Sequence, residues 1–173
     1  IRKKDYAVVV EGYFDVMALH DAGITNVVAS LGTALSRNQI TLLSRSTDSK
    51  KILLNFDSDN AGIRAANRAI SEVENLAIQG QLDLRVLQLP SGKDPDEFLA
   101  DNSPSEYEAL ATKAPLWMDW QIDQSLKDLD LSKSDQFQVA VSDLVNLLGK
   151  LPQTAIRTHY LQKVAQRLSG GQG

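Results

Sequence analysis

Three short apolar runs in this chain end in acids. Residues 7–10 (AVVV) are followed at once by Glu11 and, one helical turn later, by Asp15; residues 51–56 (KILLNF) lead to Asp57 and Asp59; residues 82–89 lead through Pro90 and Gly92 to Asp94 and Asp96. A fourth run, residues 27–30, opens on Gly32 instead. If these runs are strands of an open parallel sheet, the residues just past them share one crevice at the carboxyl edge. Carboxylates gathered there repel one another by several kcal/mol in total at an effective dielectric of about 20. Such a site must raise some pKa values or bind cations. The chain has no Cys and only His20 and His159 as imidazoles, so thiolate zinc and histidine-rich metal sites are excluded. Oxygen ligation without His or Cys favours Mg²⁺ or Mn²⁺. A metal pair or cluster of this kind neutralises phosphate oxygens and eases in-line displacement at phosphorus.

The elements that must hold these acids can be read from periodicity and punctuation. Residues 14–22 form a helix closed by Gly23; Ser36 and Gln39 stand at capping-box spacing and open a helix to about residue 47. Ile63, Ala66, Ile70, Val73 and Ala77 mark one face of a helix stopped by Gly80. Strands alternating with helices predict an α/β fold with a parallel sheet. Past residue 102 the strand signal ends. Ser103-Pro104-Ser105-Glu106 opens a helix, and Ser132 with Asp135 repeats the box before Phe137, Ala140, Val141, Leu144 and Leu148. Ile156, Tyr160, Leu161, Val164 and Leu168 make another apolar face, and the Gly-rich tail from Ser169 is expected to be disordered. The expected organisation is therefore a catalytic α/β domain over 1–102 and an α-helical subdomain over 103–173.

Each acid also has a structural use. Asp57-Ser58-Asp59-Asn60 can be a turn with a helix N-cap, and Asp94-Pro95-Asp96-Glu97 reads as an N-cap with Pro at the first helical position. Asp15 and Asp96 can complement a helix N-terminus. Glu11 is different, because capping does not require a carboxylate at the end of a buried apolar strand. Arg64 and Arg68 are read as solvated helix-surface groups, Lys93 as a loop cation, and Trp117 and Trp120 as core anchors rather than base-stacking platforms.

At 173 residues and 43% hydrophobic content the chain can build one good core with room for a smaller helical unit. Its net charge of −4 is the wrong sign for a protein that grips nucleic acid unaided. No run approaches the roughly 18 apolar residues of a membrane span, so a cytoplasmic location is expected. A first residue of Ile suggests a piece of a longer polypeptide.

The acids lie within a set of motifs, EGYFDV (11–16), SLGTA (30–34), DSDNAG (57–62) and DPDEFL (94–99), that resembles the Toprim domain of bacterial DNA primases, with every motif in the family's order. The helical remainder resembles the end of the primase polymerase core by position and pattern. The resemblance implies a Toprim, Rossmann-like parallel sheet flanked by helices. It implies synthesis of short RNA primers on single-stranded DNA from ribonucleoside triphosphates, the primer 3′-hydroxyl attacking the α-phosphate. Glu11, Asp57 and Asp59 then match the principal catalytic and metal group, with Glu11 either a ligand or a general base, and Asp15, Asp94 and Asp96 match further acids of the metal-binding face. The zinc-binding domain and the basic polymerase subdomain of full-length primases are absent, so no zinc is expected. The replicative helicase would be met through a domain expected beyond Gly173, and the isolated piece is expected to bind metal but prime poorly. The alternatives are another Toprim enzyme that cleaves DNA, such as a nuclease or topoisomerase, and a non-enzymatic metal-binding or helicase-docking module.

Overall fold

The apolar runs with acids at their ends are strands. In a computed structural model, which describes residues 1–31 and 35–170, β1 (Tyr6–Val10), β2 (Val27–Ala29), β3 (Lys51–Leu54) and β4 (Asp83–Val86) form a four-stranded, fully parallel sheet in the order β2-β1-β3-β4. Gly32, Thr33 and Ala34 of the SLGTA stretch, and the last three residues of the tail, lie outside the described residues. The β3 and β4 runs stop pairing sooner than their apolar character suggests, because residues 55–56 and 87–89 leave the ladder while staying mostly buried.

Parallel strands need crossovers, and the sequence supplies helices for them. Helix α1 (Tyr13–Asp21) links β1 to β2, α2 (Arg37–Ser44) links β2 to β3, and α3 (Asn60–Ile78) links β3 to β4. The Ser36–Gln39 capping box forms at α2, with Ser36 N–H donating to Gln39 Oε1 at 2.9 Å. Ala66, Ile70 and Val73 turn the apolar stripe of α3 inward. Gly23 and Gly80 take left-handed φ values of 83° and 69° just past α1 and α3, a conformation that costs a residue with a Cβ.

A core cluster joins the sheet to the elements that follow it. Val8, Val10, Leu19 and Leu53 pack with Leu87, Leu89, Phe98, Tyr107 and Ala111. Those later residues come from the exit of β4, from α4 (Pro95–Asp101) and from α5 (Pro104–Lys113). Complete burial of each large aliphatic or aromatic side chain contributes about 1.5–3 kcal/mol. Tyr107 and Ala111 therefore fasten α5 to the sheet, although α5 lies past residue 102, where the helical subdomain was expected to begin. By compactness the chain forms two units, Ile1–Trp117 and Met118–Gly173.

The second unit contains most of α6 (Trp117–Leu126), with α7 (Ser134–Gly149) and α8 (Ala155–Leu168) packed together. Trp117 and Trp120 are buried, as core anchors should be. Two details differ from the sequence reading. Lys133 rather than Ser132 stands at the N-cap of α7, without a side-chain cap, so the box of Ser132 with Asp135 is out of register; the Ser132 hydroxyl donates to Asp130 Oδ1 at 2.6 Å. On α8, Tyr160 and Val164 are buried but Ile156 and Leu161 face outward. Among the described residues no helix is long and apolar enough to cross a membrane.

Candidate metal and phosphoryl-transfer site

Strand order changes direction at β1, which has β2 on one side and β3 on the other. In an open α/β sheet such a point leaves a crevice at the carboxyl edge where ligands bind. The residues that leave β1 and β3 there are Glu11 and Asp57, and they meet: the backbone N–H of Asp57 donates to Glu11 Oε1 at 3.1 Å. The main chain around Glu11 is fixed from the β2 side, where Leu31 N–H donates to Glu11 O at 3.0 Å. Carboxylates separated by 46 positions are thus brought to one mouth.

The remaining acids are placed by helix starts. Asp59 caps α3, its Oδ1 accepting from Ala61 N–H at 2.8 Å and Gly62 N–H at 2.7 Å. Asp94 caps α4 through Glu97 N–H at 2.7 Å, and Asp15 accepts from Gly12 N–H at 3.0 Å. Asp96 lies exposed in the first turn of α4. The structural uses foreseen for Asp15, Asp59 and Asp94 are therefore real. Because α1 packs on α4, Asp15 stands close enough to Asp94 and Asp96 to feel their charge. The loop after β3 adjoins the turn after β4, with a Cβ at Gly92 falling 3.8 Å from Ser58 Cβ.

The electrostatics record the crowding. Burial, then the charges of Glu11, Asp15, Asp94 and Asp59, push the Asp57 carboxyl up to about 6. Asp15 is also raised, by burial first and by Asp94, Glu11 and Asp96 after it, against the lowering effect of its Gly12 hydrogen bond. No lysine or arginine among the described residues pairs with any of the six acids. Lys93, beside Asp94 in sequence, is drawn to Asp101 instead.

An all-oxygen donor set with uncompensated charge suits a hard divalent cation. Among the described residues, no three acids already form a cluster able to hold an ion. Glu11, Asp15, Asp59 and Asp94 each accept one or two backbone amides instead.

Two residues with no role in the sequence reading support the site. A Cβ at Gly62 would sit 2.1 Å from Asp57 O and 2.7 Å from Asp57 N, so the first turn of α3 lies directly on the Asp57 backbone. The spacing of Asp57, Asp59 and Gly62 was visible, but the contact was not. Asn55, 2% exposed, donates through Nδ2 to Leu87 O at 3.3 Å and accepts from the Tyr107 hydroxyl at 2.7 Å. Its polarity inside an apolar run was the available signal.

Known proteins resemble this chain in sequence and in fold. A family described as Toprim-like matches residues 8–99, which includes all six acids on the strand exits. The DNA primase of Synechococcus elongatus is 62% identical over 172 residues, covering 99% of this chain and 25% of its own length; that of Synechocystis is 47% identical, over 99% and 27%. The RNA polymerase domain of Mycobacterium tuberculosis primase DnaG, solved with double-stranded DNA, matches with a TM-score of 0.78 at 30% identity, covering 99% of this chain and 53% of that one. A DnaG primase catalytic domain bound to single-stranded DNA matches at 0.74 and 30%, over 94% and 51%. The chain belongs to the Toprim-like family, and the relatives that it matches along nearly its whole length are bacterial DNA primases. It spans about a quarter of the length of these curated relatives and about half of the solved chains.

Residues 118–173 match a second family, described as the DnaB-helicase binding domain of primase. The expectation placed the helicase-binding domain beyond Gly173, whereas this match ends at that residue and agrees in position with the helicase-docking alternative. The solved catalytic domains nonetheless cover this stretch too, so the same helices belong to the piece crystallised as the polymerase core.

Proposed function

We propose that this chain is the phosphoryl-transfer part of a DNA primase, which makes short RNA primers from ribonucleoside triphosphates on a single-stranded DNA template. The observation that carries the proposal is Asp57: a carboxyl at the strand-order switch, crowded by Glu11, Asp15, Asp59 and Asp94, with no cation from the protein beside it. Glu11, Asp57 and Asp59 would hold Mg²⁺ or Mn²⁺, with Asp15, Asp94 and Asp96 as further acids of the same face. When bound, the ion would neutralise phosphate oxygens and the pyrophosphate leaving group. The protein groups supply fixed geometry: Glu11 tied to the Asp57 main chain, Asp59 to the start of α3 and Asp94 to the start of α4.

Relatives named DNA primase at 32–62% identity favour synthesis over DNA cleavage by the same acids. The acidic balance leaves the grip on template to other parts of a longer polypeptide, so the isolated chain would take up cation and prime weakly or not at all. A docking role toward the replicative helicase is supported for residues 118–173 by their family match.

The test is a chimaera in which this chain replaces its counterpart in the Synechococcus elongatus primase. Primer synthesis should persist, and Asp57→Asn should lower it by at least about a hundredfold, as loss of a centre stabilising transition-state charge does. Full synthesis by a chimaera carrying both Asp57→Asn and Asp59→Asn would overturn the proposal. Divalent-dependent nicking of DNA without nucleotides would favour a cleaving enzyme.

A further inference from the structure

We propose that Asn55 and Tyr107 act as a positioning clamp that fixes the relative placement of the three acid-bearing strand exits, and thereby the cation affinity of the mouth. This rests on the metal-site reading above. Asn55 is the first residue past β3, two before Asp57. Its main-chain N–H donates to Val9 O at 2.8 Å, two residues before Glu11. Its side-chain Nδ2 donates to Leu87 O at 3.3 Å, on the path that leaves β4 toward Asp94. One residue thus touches the exits of β1, β3 and β4.

A third contact anchors the other two. The hydroxyl of Tyr107, on α5, donates to Asn55 Oδ1 at 2.7 Å. The Tyr107 ring is fully buried and meets Phe98 edge-on at 6.3 Å, and Phe98 lies on α4, the helix that Asp94 caps. Pairing of β3 with its neighbours needs no amide here, and an apolar residue would avoid the cost of burying one. A buried amide whose nitrogen and oxygen both have partners instead specifies a single arrangement. Without the Tyr107 hydroxyl, Oδ1 is left as an unsatisfied buried acceptor, which favours reorientation of the amide and releases Leu87.

Mn²⁺ binding, followed by the electron paramagnetic resonance signal of free Mn²⁺, tests this on the 173-residue chain. Tyr107→Phe keeps the ring and should weaken Mn²⁺ binding about tenfold, the low end of what losing an outer partner costs a metal site. Ile70→Val, a buried change on α3 outside the network, destabilises the fold but should leave Mn²⁺ affinity unchanged. If Tyr107→Phe fails to fold, Asn55→Ser, too short to reach Leu87 O, carries the same expectation. Unchanged affinity in the folded variant would overturn the clamp. A wild-type chain that takes up no Mn²⁺ would overturn the metal-site reading instead.

Discussion

Asp119, Asp123 and Asp130 of the second unit and the acids at the mouth of the sheet are treated in opposite ways. In the helical unit, Asp119 meets Lys163 at 2.7 Å, Asp123 meets Arg167, and Asp130 meets Lys133 at 3.8 Å. At the mouth six acids share one edge, none is paired with a basic side chain, and the carboxyls of Asp57 and Asp15 are pushed up. Nothing in the chain's overall balance of 22 acids to 18 bases forces this, since cations are available elsewhere. Leaving like charges together costs stability, a cost that the capping bonds of Asp15, Asp59 and Asp94 offset only in part and that the proposed cation would relieve.

The sharpest way to break that contrast is to move the backbone beneath it. Gly62→Ala places a methyl group 2.1 Å from Asp57 O, so α3 or the Asp57 loop must shift. Overpacking of this kind costs about 1–3 kcal/mol, and chemical denaturation should show a loss of that size together with weakened Mn²⁺ binding. A small effect on both would mean that the loop after β3 adapts freely. At the other end of the scale, Lys163→Ala removes a partly exposed partner from Asp119. Exposed pairs contribute about 0–1 kcal/mol, so the melting temperature should scarcely move and Mn²⁺ binding not at all. A large loss there would erase the distinction between the two regions.

Much of this was legible in the sequence because it was local. Glu11 ending a buried apolar run, the capping box at Ser36, and the stripe from Ile63 to Ala77 each depend on neighbours within a turn or a strand. The convergence of Glu11 with Asp57 followed from the geometry of parallel sheets, which sends all strand exits to one edge. What stayed hidden depends on distant partners. Asn55 finds Tyr107 across 52 positions, so its polarity within KILLNF could be seen but its purpose could not. The burial of Tyr107 also binds α5 to the sheet, which a local helix signal beginning at Ser103 cannot reveal. At Ser132 a valid capping spacing was missed by one residue, because α7 starts after Lys133.

The central claim is that the mouth holds charge in want of a cation, and the stability of Asp57→Asn against wild type tests it most directly. With its folded value near 6 against an ordinary 3.8, Asp57 binds more proton in the folded than in the unfolded state between these limits. Its charge therefore costs stability that returns as pH falls from about 6 toward 4. Without divalent ions, Asp57→Asn should be more stable than wild type at pH 7.5 by about 1 kcal/mol, allowing for partial exposure. The gap should close by pH 4, and millimolar Mn²⁺ should raise the wild-type melting temperature at pH 7.5 while leaving the variant nearly unmoved. A variant no more stable than wild type at pH 7.5, with a wild type indifferent to Mn²⁺, would contradict the account.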